Sequence, residues 1–140
     1  MSKTLNSKLA AGTVVLMMLL SGCGGGTDPE GFVQLPGEVT WNGEPIQDGM
    51  IIFRGSDSSE RNVAAPITDG KFIVKIQPGK KTVEVTAMRE VPGKFGVGPS
   101  GEQVPLTEAY IPAKYNTASE LTTEIVVPGT ETLQFALQEN

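Results

Sequence analysis

From Phe32 onward the chain repeats every two residues rather than every 3.6. Within 35–41, Val39 and Trp41 share one parity while Glu38 and Thr40 share the other. Residues 71–76 set Phe72, Val74 and Ile76 against Lys71 and Lys75. Residues 81–88 set Val83, Val85 and Ala87 against Thr82, Glu84 and Thr86. Residues 121–127 put Leu121, Thr123, Ile125 and Val127 on one side, and Leu133, Phe135 and Leu137 close the series. The stretch 49–54 is more continuously apolar, with Ile51 and Phe53 predicted to point inward. Side chains alternate between the two faces of a strand, so this pattern predicts half-buried antiparallel strands. No segment beyond the N-terminal region carries a helical stripe.

Turn chemistry falls between these runs. Asn42-Gly43, Asp48-Gly49 and Asp69-Gly70 supply residues that tolerate the positive φ of tight hairpins. Pro78-Gly79 and Pro128-Gly129 fit the central pair of a type II turn, where proline presets φ and glycine accepts the positive angle. Short strands at regular spacing, separated by such turns, predict an all-β fold: one antiparallel β-sandwich of about seven strands. One stretch lacks the rhythm. Residues 90–108 hold Pro92, Gly93, Gly96, Gly98, Pro99, Gly101 and Pro105 without alternation. The expectation there is a long loop, either a mobile insertion or a recognition loop presenting Phe95.

The N-terminus follows a different rule. Lys3 and Lys8 precede an apolar run at 9–20, and small residues follow it. A charged start, a short apolar middle and small residues make a secretory signal. A helix over 9–20 covers only about 18 Å, whereas a membrane span needs ~20 apolar residues. The ending Leu20, Ser21, Gly22, Cys23 resembles the lipobox of bacterial lipoproteins, in which the cysteine is acylated and becomes the new N-terminus. That resemblance implies a signal peptide at 1–22 and a lipid anchor on Cys23. It also implies an exported protein held on the bacterial cell envelope. Gly24 stands where some Gram-negative lipoproteins carry a retention aspartate, which favours the outer membrane. Residues 23–31, rich in glycine, read as the acylated cysteine and a flexible tether, and 32–140 as the domain.

Composition narrows the chemistry. Loss of Lys3 and Lys8 would leave 9 of the 11 basic side chains against 16 acidic ones, a net charge of −7. An acidic domain without a basic cluster excludes nucleic acid as a partner and stands off anionic head groups. The chain has one cysteine and no histidine. A lipidated Cys23 leaves no thiol for a disulfide, and an unlipidated one has no imidazole to activate it. The lack of histidine also removes Ser-His-Asp catalysis and imidazole-based zinc sites. Asp57, Ser58, Ser59 and Glu60 form an oxygen-rich stretch that reads as a solvated turn, with weak calcium binding as the alternative. Phe53, Phe72 and Phe135 have inward parity and belong to the core. Trp41 is either core packing at the rim or a sugar-stacking platform. Tyr110 and Tyr115 are read as fastening a late crossover to the strands, and Lys80 and Lys81 as ordinary strand-face solubilisers.

The run GEVTWNGEPIQDGMIIF, with Gly43, Glu44, Pro45 and Ile46 in its loop, resembles the opening of carboxypeptidase regulatory-like domains. The run TDGKFIVKIQPGKKTVEV resembles their next signature through Thr68, Asp69, Gly70, Phe72, Pro78 and Gly79. Residues 111–116, IPAKYN, and the closing strand through Leu137 look like the end of short bacterial lipoproteins built from this one domain. The resemblance implies a transthyretin-like sandwich that is an accessory without catalytic residues. The expectation is therefore a monomeric, non-catalytic structural or interaction module, with no cofactor and no metal. It would be bound to the membrane through Cys23 and to a protein or glycan partner in the envelope. A glycan- or peptide-binding surface lipoprotein is the alternative.

Overall fold

A computed structural model describes residues 28–128 and 131–139. Nine strands follow in order: β1 (Val33–Trp41), β2 (Glu44–Pro45), β3 (Asp48–Gly55), β4 (Val63–Thr68), β5 (Lys71–Ile76), β6 (Gly79–Val97), β7 (Gln103–Ala109), β8 (Thr122–Ile125) and β9 (Leu133–Leu137). A 3₁₀ turn, Ala113–Tyr115, lies between β7 and β8. The fold is all-β, as the period-two pattern predicts. Two of the predicted hairpins form at their Asx-Gly pairs. Asn42 and Gly43 take φ of 51° and 86° between β1 and β2, and Asp69 and Gly70 take 50° and 75° between β4 and β5.

The sheet runs β9–β1–β5–β4–β3–β6, with β2 on the end of β1 and both β7 and β8 on β6. It curls into a half-barrel. The curl has a local cause at β4 and β5, which share one paired position, Thr68↔Lys71, before they part. Pro66 in β4 has no N–H to give a neighbour, so pairing along that side cannot be continuous. The inner side of the curl holds one core, to which β1, β3, β4, β5, β6, β8 and β9 all contribute. Val33, Leu35 and Val39 of β1 and Phe72, Val74 and Ile76 of β5 are buried against Ile51, Phe53, Ile67, Val83 and Val85. Phe53 meets Phe72 and Phe135 across this core, with centroids 5.9 and 6.2 Å away. Gly37 is glycine because Phe72 crosses it: a Cβ there would sit 2.0 Å from the Phe72 ring.

Several expectations are corrected. The pairing is antiparallel throughout except β1 with β9, which run parallel from Gly37↔Leu133 to Trp41↔Leu137. The chain reaches that position by crossing from β8 beside β6 to the far edge of β1, and such a crossover delivers a parallel strand. Asp48-Gly49 is not a turn but the start of β3, paired with Thr68 and Ile67. Gly49 is required there by close packing, since a Cβ would lie 2.6 Å from the Thr86 carbonyl oxygen. Strand β4 has weak apolar content (Ala64, Ala65, Pro66), which hides it from periodicity. Val127 is exposed rather than inward. The Pro128-Gly129 turn reaches Gly129, outside the described residues.

The largest correction concerns 90–108. It is not an irregular loop: β6 continues to Val97 and returns as β7, forming a two-stranded ribbon. From Glu90↔Thr107 to Phe95↔Pro105, β6 takes five steps while β7 takes two. Pro92 and Gly93, the latter at φ 73°, sit in that bulge, where neither disrupts the ladder.

Candidate functional site

The molecule has two poles. At one, the chain enters β1. Asp28 closes a turn there, its carboxylate accepting from the N–H groups of Glu30 (3.1 Å) and Phe32 (2.9 Å). The same carboxylate pairs with Lys75, whose ammonium also lies 5.6 Å from the centroid of the Phe32 ring. The hydrogen bond from Lys75, followed by that from the Phe32 N–H, lowers the Asp28 pKa, and Asp28 raises that of Lys75. The end of the predicted flexible tether is thus clasped to β5. Beside it a pocket of about 660 Å³ is lined by Phe32, Ser59, Arg61, Asn62, Gln77 and Lys81.

Lys81 overturns its reading as a solubiliser. It has the inward parity of Val83 and Val85, is 3 % exposed, and places its Nζ 2.8 Å from Glu60 Oε2. Glu60 reaches it by lying across Gly55, where a Cβ would be 2.2 Å from the Glu60 Cβ. The 57–60 stretch is therefore a lock on the end of β6. Asp57 is spent within the turn, its carboxylate accepting the Ser59 N–H and its carbonyl the Glu60 N–H. Among the described residues no group of three or more His, Cys, Asp or Glu side chains is placed to hold a metal ion.

The opposite pole lies along β1, eight strand steps or roughly 26 Å away. There Trp41 is half-buried and flanked edge-on by Tyr110 and Tyr115, with centroids 6.1 and 6.2 Å distant. The Tyr115 hydroxyl donates to the Gln138 carbonyl and accepts its N–H, both at 3.2 Å, which fastens the crossover to the end of β9 as expected. Trp41, its ring packed by two tyrosines, lies partly buried at the rim of the core. Burial raises the Tyr110 pKa, and Arg89, 5.2 Å from its ring centroid, pulls partly the other way.

Next to this cluster a cleft of about 540 Å³ opens between the β2–β3 connection and the base of the ribbon. Trp41, Tyr110, Glu44, Asp48 and Glu90 line it. Arg89 lies in the same cleft, but both its Nε and Nη2 bind Glu108 Oε1, at 2.9 and 2.8 Å. Beyond the cleft the ribbon extends six β7 steps, about 20 Å. Its register places Phe95, Val97 and Pro105 on one face with Thr107, and Val104 and Leu106 on the other with Glu108. Phe95 is 57 % and Val97 80 % exposed, and no ribbon residue from Met88 to Val97 is buried. Sequence reasoning singled out Phe95 but missed Glu44, Asp48 and Glu90. They come from three strands with no shared motif, so only the fold brings them together.

The lipobox Leu20, Ser21 and Gly22 and the acyl-accepting Cys23 lie outside the described residues. Among the described residues, no helix is long and apolar enough to cross a membrane. No protein-family model and no curated protein matches the chain. Among solved structures it is similar to a 9R-lipoxygenase from Cyanothece PCC8801, at 10% identity and a TM-score of 0.33. That similarity covers 79% of this chain and 17% of the other, and a likeness so weak carries no argument about activity.

Proposed function

We propose that the protein is a non-catalytic interaction module of the bacterial cell envelope. Lipid on Cys23 anchors it, and the β6–β7 ribbon is presented to a protein partner. The observation that carries this reading is polarity. The chain enters the domain at Asp28 and Phe32, while the exposed apolar ribbon leaves it from the other end of β1. A domain tethered through Cys23 therefore holds the ribbon away from its own membrane. In this reading the curled sheet is the transthyretin-like sandwich of carboxypeptidase regulatory-like domains, with β9–β1–β5 and β4–β3–β6–β8 as its layers. The single paired position between β4 and β5 supports that layering, as do the Phe53 contacts across the core. Protein is favoured over glycan because the exposed hydrophobic groups are Phe, Val and Leu on a narrow ribbon, while the indole is packed by tyrosines.

The test has two arms in the native host. Labelled palmitate should enter the wild type and not Cys23→Ser, which should also leave the detergent phase. Replacing residues 91–104 with a short Gly/Ser linker should abolish recovery of the partner from cross-linked envelopes while the anchored protein stays at wild-type level. Membrane retention of unlabelled Cys23→Ser would overturn the anchor. Undiminished partner recovery without the ribbon would overturn its role.

A further inference from the structure

The partner's chemistry can be read from the ribbon pole, given the interaction-module reading above. We infer that this pole receives a cationic protein segment that also carries apolar side chains. A Lys or Arg would enter the cleft beside Trp41 and Tyr110, with the apolar groups lying on Phe95 and Val97.

Three observations converge on that class. The first is how the ribbon can be contacted. Gly98 donates to the Glu102 carbonyl at 2.8 Å, so 98 and 102 form a hydrogen-bonded pair. Antiparallel pairs alternate, so Phe95↔Pro105 is a non-bonded pair and the Pro105 nitrogen lies on the free edge of β7. That nitrogen carries no proton. Strand addition along the β7 edge is interrupted at its centre, which favours contact through the side chains on the ribbon's faces.

The second observation is charge. Glu44 of β2, Asp48 of β3 and Glu90 of β6 line the cleft, and none is ion-paired with a described residue. Arg89, the cation in that cleft, is spent on Glu108 and Tyr110. Three carboxylates without an ion-pair partner on one cleft wall favour a cation through charge complementarity.

The third is continuity. Glu90 and Thr107 line the cleft and share the ribbon face that carries Phe95 and Val97. One extended segment can therefore meet both features. The alternatives fit worse on charge. A second copy would bring a chain of net charge −5 against another of the same sign. Anionic lipid is repelled by the same charge and lies, for a Cys23-anchored domain, at the other pole.

The experiment titrates the purified full chain with two synthetic peptides of equal length, one alternating Lys and Leu and the other Glu and Leu. Binding is followed by calorimetry and by NMR amide shifts. Three variants are compared: Glu44→Gln/Asp48→Asn/Glu90→Gln in the cleft, Phe95→Ser/Val97→Ser on the ribbon, and Glu120→Gln/Glu124→Gln/Glu131→Gln elsewhere, with the same loss of charge. All replaced side chains are exposed, and an unchanged melting temperature verifies the fold. The Lys/Leu peptide should bind, shift amides at 88–97 and 107–110, and lose about tenfold in affinity with either the cleft or the ribbon variant. The remote variant should lose less than about twofold, and the Glu/Leu peptide should not bind. Equal weakening by the remote variant, equal binding of both peptides, or no binding of either would overturn the inference. So would a concentration-dependent dimer abolished by Phe95→Ser/Val97→Ser. A host partner lost with the ribbon but retained by the cleft variant would remove the cationic class while leaving the anchored module intact.

Discussion

Strand β6 passes through two environments, and the contrast between its halves explains most of this molecule. From Gly79 to Ala87 it is flanked by β3 over most of its length and by β8 at its start, and Lys81, Val83, Val85 and Ala87 all point into the core. From Met88 onward it has β7 alone and buries nothing. The backbone is extended and paired in both halves; only the first has an inside. Alternation in sequence records a buried face, not the strand itself. A ribbon solvated on both faces is free of that constraint and takes up glycine, proline and exposed apolar groups.

The contrast is sharpest for equivalent substitutions in the two regions. Phe72→Ala, which empties the ring contacts with Phe53 and Phe135, should cost about 3–5 kcal/mol in chemical denaturation. Lys75→Ala on the same strand should change little. Gly37→Ala forces a methyl into the Phe72 ring and should cost about 1–3 kcal/mol through overpacking. Gly96→Ala in the ribbon comes nearest to Leu106 Cδ2, at 3.0 Å, the flexible end of an exposed side chain, and should be nearly silent. Comparable losses at Gly37 and Gly96 would erase the distinction between body and ribbon.

Lys81 tests the buried half of β6 in another way. Replacing it with Met leaves Glu60 without its cation, yet Glu60 is 29% exposed and recovers some water. Removal of one partner of a fully buried pair costs ~3–5 kcal/mol, so about 2 kcal/mol is expected here once that exposure is allowed for. The double change Lys81→Met/Glu60→Gln should recover part of the loss. A double variant no better than the single would mean that the lost packing of the lysine stem, not the stranded carboxylate, sets the cost.

These residues also show what was legible from sequence. The inward sets Val83/Val85/Ala87, Phe72/Val74/Ile76 and Phe135/Leu137 could be read because each strand has a wet face to contrast with a dry one. The Asn42-Gly43 and Asp69-Gly70 turns could be read because few other pairs accept two positive φ angles. Lys81 could not, since its inward parity conflicts with its charge until Glu60 is brought over Gly55 by folding. The cleft carboxylates were hidden for the same reason, because Glu44, Asp48 and Glu90 are neighbours only in space. Phe95 was noticed for its setting among glycines, but its position on a paired strand follows from the bulge at 90–95, which local sequence does not announce.

The entry clasp offers a smaller, pH-dependent contrast. Asp28 has its pKa lowered below the ordinary 3.8 by Lys75 and the Phe32 N–H. A depressed carboxylate contributes stability above its unfolded value and loses it as pH falls through the lower folded value. Lys75, raised from 10.5, contributes below that value and loses its share as pH climbs through the raised one. The clasp is therefore whole between these limits. Lowering the pH from 6 through the depressed Asp28 value should shift the Phe32 amide and loosen residues 28–31. Asp28→Asn should remove the Phe32 transition below pH 4, and its persistence would assign that titration to another group.

The smallest expected effect tests the comparison most directly. Replacing residues 91–104 with a short Gly/Ser linker leaves Met88↔Ala109, Arg89↔Glu108 and Glu90↔Thr107 in place. It removes no buried side chain. The exposed apolar groups on the ribbon gain little from burial in the folded state, and loop-closure entropy changes by only ~0.6 kcal/mol per doubling of length. The melting temperature should therefore stay within about 2 °C of the wild type, with the pairing of Arg89 and Glu108 intact by NMR. A large fall would mean that the ribbon supports the Trp41–Tyr110 rim from above, making it part of the body. An unchanged melting curve would leave the ribbon as a segment whose apolar side chains the fold does not use, and whose selection must come from something it touches.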